Sequence, residues 1–297
     1  MALKKDFSVR LLRCIQALVL LALSPVAAAE VIRFAPLPMA SLEQMTREYL
    51  PFLDYLEQQT GQQFELAYHS SYSDLLDALT SGEVQLAYLG PLPYVAVTER
   101  TESLQPLVQW LDSEGSSDYT CALVHFAADK RSNIHSIEKP HSIALTQPLS
   151  TCGYLVTETH MRAQGYSLED AFHTYDYTGS HEQVALSVIL GRHEHGTLRS
   201  KIARQYHHLG LRIFAETPPL PGFVLVGNTQ RISPAVLQQI RSSLLNLKPL
   251  QDPAAAEIVK SWSSNLRYGA VEVDDSAYDP VRQQWRQLKV DLIGAEQ

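Results

Sequence analysis

The sequence has little cysteine, little charge and no long apolar run beyond its first 30 residues. It has three cysteines in 297 residues, 19% of its residues are charged, and its formal net charge is −8. An acidic chain of this kind is a poor candidate for binding nucleic acid or anionic lipid. No later segment has the roughly 20 apolar residues that a membrane-spanning helix needs. The sequence also has no internal repeat, low-complexity stretch or block of like charge.

The amino terminus has the parts of a secretory signal peptide. A basic start leads into an apolar run over residues 14–23, and three alanines follow at 27–29. This pattern predicts export with cleavage after Ala29. Because residues 1–29 carry four bases and one acid, the mature chain of 268 residues has a formal net charge of −11. We expect a soluble product that is not membrane-inserted, since Cys14 lacks the small residues that precede a lipoprotein cysteine.

Two cysteines remain after cleavage, Cys121 and Cys152. Disulfides persist in the oxidising compartments that receive exported proteins. The separation of 31 residues permits a bridge but does not predict one, because pairing depends on distance in space. A bridge would require the loop around Cys152 to lie near a junction between lobes, and we expect two free thiols.

The first third of the mature chain alternates strand and helix patterns. Strands are predicted over residues 31–35, 64–68 and 84–89, and helices over 41–61 and 72–80. This order is typical of a parallel sheet with helices on both faces, where ligands bind beyond the carboxyl ends of the strands. Tyr72 and Tyr94 begin the helices after the second and third strands, so their phenols could reach a ligand. Tyrosines packed at helix starts with hydrated hydroxyls explain the spacing equally well.

Residues 143–154 combine a short strand, a turn and a helix start. The apolar run 143–145 is followed by Pro148 and then by Ser150, Thr151, Cys152 and Gly153, and a helix is predicted over 154–163. The first N–H groups of a helix lack partners and its macrodipole is positive there, so an anion can be held without a charged side chain. Ser150 and Thr151 add hydroxyl donors. The alternative is that one of these hydroxyls is only a helix N-cap.

His181 follows a Gly-Ser turn and begins another predicted helix. Its ring could donate a hydrogen bond to an anion, and a solvent-exposed capping histidine is the alternative. Residues 192–196 and the basic run that follows, with Arg199, Lys201 and Arg204, contain no His-Glu-x-x-His pattern. We therefore favour a solvated loop there over a metal site formed by the histidines of 193–208.

The mature chain is longer than one average domain, so two lobes are expected. Apolar runs at 119–126 and 223–226 predict two strands that cross between the lobes. Lobe one is assigned residues 30–120 plus 222–297, and lobe two residues 121–221.

Several short motifs occur in an order that resembles one protein family. They are Ser71-Tyr72, the stretch from Gly82 to Tyr94, Ser150-Thr151 with Gly153-Tyr154, Ser180-His181, and Tyr278. Over residues 31–288 the sequence resembles the periplasmic phosphate, phosphite and phosphonate-binding proteins of ABC transporters. The resemblance implies an α/β, two-lobed type II periplasmic binding protein fold, with a ligand cleft between lobes joined by two crossing strands.

The resemblance also implies ligand-binding residues. The family's anion-binding loop falls on Ser150, Thr151 and Cys152, its anion-binding histidine on His181, and its cleft tyrosines on Tyr72 and Tyr94. Cys152 replaces the third hydroxyl of the loop, and a thiolate there would be a soft, reactive ligand. The acids that hold the amine of an aminophosphonate in some relatives have no clear match.

These observations predict a monomeric periplasmic protein that captures a small oxyanion for an ABC permease, with no cofactor and no metal. A sensor reading is open as well, in which the partner is a histidine kinase ectodomain and the ligand is an arsenic or sulfur oxyanion. A third hypothesis is an exported enzyme with Cys152 as nucleophile and His181 as base.

Overall fold

The computed structural model describes residues 31–128, 142–171 and 174–295. The signal peptide predicted for residues 1–29 lies outside the described residues. Within the described ranges, no helix has the length and apolar character needed to cross a membrane.

The described chain alternates strands and helices. Its strands are β1 (Ile32–Pro36), β2 (Phe64–Leu66), β3 (Leu86–Leu89), β4 (Leu104–Trp110), β5 (Asp118–Tyr119), β6 (Cys121–Phe126), β7 (Ser142–Leu145), β8 (Thr174–Tyr177), β9 (His195–Arg199), β10 (Leu211–Glu216), β11 (Leu220–Pro221), β12 (Val224–Asn228) and β13 (Ala270–Val271). Its α-helices are α1 (Leu42–Thr60), α2 (Tyr72–Ser81), α3 (Pro91–Thr98), α4 (Thr157–Arg162), α5 (Leu168–Ala171), α6 (His181–Ile189), α7 (Ser200–Gln205), α8 (Pro234–Asn246), α9 (Pro253–Val259) and α10 (Asp279–Ala295). A π-helical turn covers Thr151–Val156, and short 3-10 turns cover His207–Leu209 and Asp275–Tyr278.

Local signals set the bounds of most helices. In α1 the Ser41 hydroxyl accepts a hydrogen bond from the Gln44 N–H, and Gly61 ends the helix, as the sequence predicts. The buried face of α1 includes Met45, Phe52 and Leu56, which recur at helical spacing. This face covers one side of the sheet that contains β1.

Two mixed sheets carry the fold. The first sheet has the strand order β13-β4-β12-β3-β1-β2, with β1, β2 and β3 parallel and β12 antiparallel to both of its neighbours. The second sheet has the order β10-β6-β9-β7-β8. Each sheet is covered by helices, and one apolar cluster extends from residues of the first sheet, such as Leu89, to residues of the second, such as Ile143.

The chain passes between the sheets twice, and the two passages pair with each other. Between β4 and β6 it forms β5, and between β10 and β12 it forms β11. These strands form a two-stranded antiparallel ribbon in which Tyr119 lies opposite Leu220. The first predicted crossing run, 119–126, thus divides into the end of β5 and β6, whereas the second, 223–226, falls on β12, and the crossing strand β11 lies just before it.

The prediction of a solvated loop at residues 192–196 was wrong at its carboxyl end. His195 and Gly196 lie in β9, the central strand of the second sheet, and His195 is buried. A Cβ atom on Gly196 would lie 2.6 Å from Cγ1 of Val184, so the close packing of α6 requires glycine here. The strand was missed because it contains histidine and glycine where an apolar run was expected.

The expectation of two free thiols was also wrong, because Cys121 and Cys152 form a disulfide. Cys121 begins β6 directly after the crossing ribbon, and the loop that carries Cys152 packs beside it. The two Cα atoms are 5.3 Å apart, within the range that a bridge requires. Both cysteines are buried.

We predict that the double variant Cys121→Ala/Cys152→Ala loses about 3 to 4 kcal/mol of unfolding free energy, because the bridge no longer restricts the unfolded chain. Urea denaturation of the two proteins measures the difference. A reducing agent should destabilise the wild type and leave the variant unchanged. Equal stability of wild type and variant under oxidising conditions would contradict the prediction.

Candidate functional site

The Ser150 hydroxyl caps the π-helical turn. Its Oγ accepts a hydrogen bond from the Gly153 N–H at 3.0 Å and another from the Thr146 hydroxyl at 2.6 Å. A Cβ atom on Gly153 would lie 2.7 Å from the backbone nitrogen of Thr146, so this turn requires glycine. The helix predicted from residue 154 therefore begins three residues earlier, as a π-helical turn that continues into α4.

The Thr151 hydroxyl links the two sheets. Its Oγ1 accepts a hydrogen bond from the Leu92 N–H of α3 at 3.0 Å. Tyr119 lines the same small cavity as Thr151, and burial raises the pKa of Tyr119 to about 12. The loop cavity, defined by Ser150, Thr151, Tyr72 and His181 among its lining residues, measures about 20 Å³. Such a volume holds about one water molecule.

The Cys152 sulfur is bonded to Cys121, so it is not a thiolate. This corrects two of the sequence-based hypotheses, the soft ligand for arsenic or sulfur oxyanions and the nucleophile of an exported enzyme. Cys152 still lines the loop cavity. Instead of offering a hydroxyl to a ligand, as the family's loop does at this position, it holds the loop backbone through its disulfide.

His181 lies at the first position of α6, after the N-cap Ser180. Its Nδ1 accepts a hydrogen bond from the Arg199 N–H at 3.2 Å, so the neutral ring carries its proton on Nε2. Burial, with a smaller effect of the Arg199 charge, lowers the pKa of His181 to about 3. His181 is therefore a neutral donor at physiological pH.

The structure places the two predicted tyrosines differently. Tyr72 begins α2 and is buried, and it lines the loop cavity beside His181. Tyr94 lines none of the described cavities, and its hydroxyl donates to Asp275 Oδ1 at 2.6 Å. The prediction for Tyr94 assumed that α3 begins at this residue. With Pro91 at the first helical position, Tyr94 lies one turn inside the helix.

A larger cavity adjoins the loop cavity. This cavity, which we call the main cavity for its place beside the loop, measures about 480 Å³ and shares Tyr72, His181 and Phe223 with the loop cavity. Arg199 also lines a separate cavity of about 720 Å³. Its wall also includes Thr146, Ser180 and Arg199. Most of the predicted site residues thus meet at one seam between the two sheets.

Arg199 is a cavity residue that was not among the predicted site residues. Its guanidinium carbon lies 5.0 Å from the ring centre of Tyr119 and 5.5 Å from that of Phe223, and it lines the main cavity. The Nε atom is buried and has no hydrogen-bond partner among the described residues. In the sequence Arg199 stands in a basic run with Lys201 and Arg204, and nothing there distinguishes it from them.

The histidines of residues 193–208 are not gathered at one point. His193 contacts Ser187 through Nδ1 at 2.6 Å and Asp176 through Nε2 at 3.0 Å, which fixes the end of α6 to β8. In the part of the chain that the structure describes, no three histidine, cysteine or acidic side chains are grouped to hold a metal ion.

Comparison with known proteins identifies relatives over most of the chain. The chain is 24% identical to the phosphate-import protein PhnD of Mycolicibacterium smegmatis over 272 residues, which cover 85% of this chain and 84% of that protein. Its fold matches that of PhnD1 from Prochlorococcus marinus in complex with methylphosphonate, with a TM-score of 0.73 at 17% identity, over 88% of this chain and 99% of the other.

A binding-protein component of an ABC phosphonate transporter from Pseudomonas aeruginosa has the same fold. Its TM-score is 0.72 at 20% identity, over 86% of this chain and 85% of the other. These similarities show that the two mixed sheets and the crossing ribbon form the two-lobed fold of periplasmic binding proteins. The family model described as "ABC transporter, phosphonate, periplasmic substrate-binding protein" matches residues 34–278, and the chain therefore belongs to this family.

Proposed function

We propose that this protein captures a small tetrahedral oxyanion of phosphorus, a phosphate, phosphite or phosphonate, and delivers it to an ABC permease. The observation that carries the proposal is the meeting of the Ser150–Thr151 loop, His181 and Tyr72 at one seam between the sheets, in a member of this family. The family match favours transport over a sensor role. Substrate-binding components of ABC transporters are periplasmic and bind rather than transform their ligands.

The finer features of the proposal come from the sequence. The protein is exported through a signal peptide at residues 1–29 and acts as a soluble monomer in the periplasm. Its lobes comprise residues 30–120 plus 222–297 and residues 121–221. The bounds are supported by the positions of β5 and β11, where the chain passes between the sheets.

The backbone of the π-helical turn, His181 and Tyr72 contribute hydrogen-bond donors to anion binding. The Gly153 N–H of the π-helical turn donates to Ser150, so the N–H groups of Thr151 and Cys152, the first two of the turn, are those that can point to an anion. The ring Nε2–H of His181 donates to the same anion from lobe two. Tyr72 lies across the seam on lobe one, and its hydroxyl stays protonated because burial raises its pKa.

We propose that the lobes separate to admit the ligand and close around it. The loop cavity alone has room for about one water, so in this conformation a five-atom oxyanion would extend into the adjoining main cavity of about 480 Å³. The contacts between the lobes include the Leu92–Thr151 hydrogen bond and the contacts of Lys201 Nζ with Asp112 at 2.9 Å and Ser113 at 2.7 Å. We propose that these contacts break in the open form and re-form around the ligand.

We predict that the mature protein, residues 30–297, is stabilised against heat by phosphate, phosphite or methylphosphonate, because a ligand that binds only the folded state raises the melting temperature. At a concentration 100 times its dissociation constant, a ligand adds about 2.7 kcal/mol. Differential scanning fluorimetry measures the melting temperature with each of the three compounds, and sodium chloride at matched ionic strength is the control. If none of the three compounds exceeds the salt control, the proposed function is wrong.

We predict that His181→Gln reduces the loss of stability in mild acid. The pKa of His181 is about 3 in the folded protein, against 6.5 for an unperturbed histidine, so below pH 6.5 the unfolded chain takes up a proton that the folded chain does not. Wild-type stability therefore falls between pH 6.5 and 3, with a slope limit of about 1.4 kcal/mol per pH unit.

Melting temperatures measured from pH 7.5 to pH 5 check this prediction. The wild type should lose more stability over that range than His181→Gln. The matched control is His207→Gln, which removes an exposed histidine and should follow the wild type. Parallel curves for wild type and His181→Gln would show that His181 titrates normally.

A further inference from the structure

Three neighbouring cations of one segment have different surroundings. Lys201 contacts Asp112 at 2.9 Å and Glu114 at 3.3 Å, and Arg204 contacts both oxygens of Glu216 at 2.8 Å. Arg199 forms no ion pair among the described residues, and its Nε is buried without a partner. The faces of Tyr119 and Phe223 lie against its guanidinium.

A half-buried cation without an anion is costly for the folded protein. Loss of water around a charge is compensated only when a partner charge or hydrogen-bond acceptors replace it. Aromatic faces compensate part of this loss, but they do not supply an acceptor to Nε–H. The surroundings of Arg199 therefore lack one component, an acceptor with negative charge.

The position of Arg199 indicates where that acceptor would lie. Arg199 and His181 both line the main cavity of about 480 Å³, and the Arg199 backbone N–H fixes the ring of His181 so that Nε2–H is its donor. The hydroxyls of Ser150 and Thr151 accept hydrogen bonds from protein donors, so each can still donate its own proton to an anion, but neither carries a charge. A guanidinium offers a planar fork of donors that matches an oxyanion edge.

We propose that Arg199 is a ligand-binding residue that carries the counter-charge of the bound anion, and that it makes the site select doubly charged over singly charged tetrahedral anions. The inference rests on the proposed function and extends it. Glu48 and Glu182 also line the main cavity, and the chain as a whole is acidic. Because His181 is neutral, Arg199 supplies the positive charge that attracts the ligand against this field.

The test uses two ligands of one shape and different charge. Methylphosphonate is largely a dianion at pH 8, and methanesulfonate is a monoanion. Isothermal titration calorimetry with the wild type, Arg199→Gln and Arg204→Gln gives the affinities. Arg204→Gln is the matched control, because it removes an equal charge from the same segment at a residue that is already paired with an acid.

We expect the wild type to prefer methylphosphonate. Arg199→Gln should weaken methylphosphonate binding by roughly tenfold to a hundredfold, the effect of a lost charged hydrogen bond, and should reduce the preference over methanesulfonate. Arg204→Gln should stay within about threefold of the wild type. The ligand-free melting temperature of Arg199→Gln should equal or exceed that of the wild type, since an unpaired charge has been removed.

Other outcomes overturn the inference. A lower ligand-free melting temperature of Arg199→Gln together with wild-type affinities would make Arg199 a structural cation. An equal loss for both ligands would refute selection by charge. Sulfate and malonate complete the panel. Arg199-dependent binding of either one, with no phosphorus oxyanion bound, would refute the proposed function and support the anion role of Arg199. Failure to bind any anion would refute both.

Discussion

The position of the loop that carries Ser150 and Thr151 depends on the covalent bond between Cys121 and Cys152. One end of the bond lies where the chain enters the second sheet, and the other lies in the turn that presents Ser150 and Thr151. The loop therefore moves with the crossing ribbon instead of folding as an independent surface turn. The Leu92–Thr151 hydrogen bond then sets its distance from the first sheet. Together these two links fix the seam at which Tyr72 and His181 meet.

Within this frame the charges are distributed unevenly. Lys201 and Arg204 are paired with acids, whereas Arg199 contacts aromatic rings and has a buried Nε with no hydrogen-bond partner in the described parts of the chain. Local electrostatic rules normally favour pairing of buried charge, and departures from such rules are expected at functional sites. In this segment Lys201 therefore forms a stabilising ion pair, whereas Arg199, two residues earlier, has no anionic partner among the described residues.

The sequence predicts a structural feature correctly where that feature depends on residues close together in the chain. Ser41 begins α1 and Gly61 ends it, and Ser150 caps the π-helical turn, as local signals predict, because capping depends on residues within one helical turn. Pairing of Cys121 with Cys152 depends on distance in space, so spacing along the chain could not reveal it. Tyr94 was misplaced by the one-turn difference that Pro91 causes. Arg199 could be told from Lys201 only by the acids that pack nearby, and these come from distant parts of the chain.

The central place of β12 in the first sheet has a consequence for the order of folding. This strand lies between β3 and β4, yet it is synthesised after every strand of the second sheet. The second sheet is built from one continuous stretch of chain, from β6 to β10, and can form without waiting for later residues. The first sheet must leave a gap between β3 and β4 until β12 arrives. Since pairing between distant segments is slow and leaves strand edges exposed, the unfilled first sheet is the stage at which this chain is most exposed to aggregation.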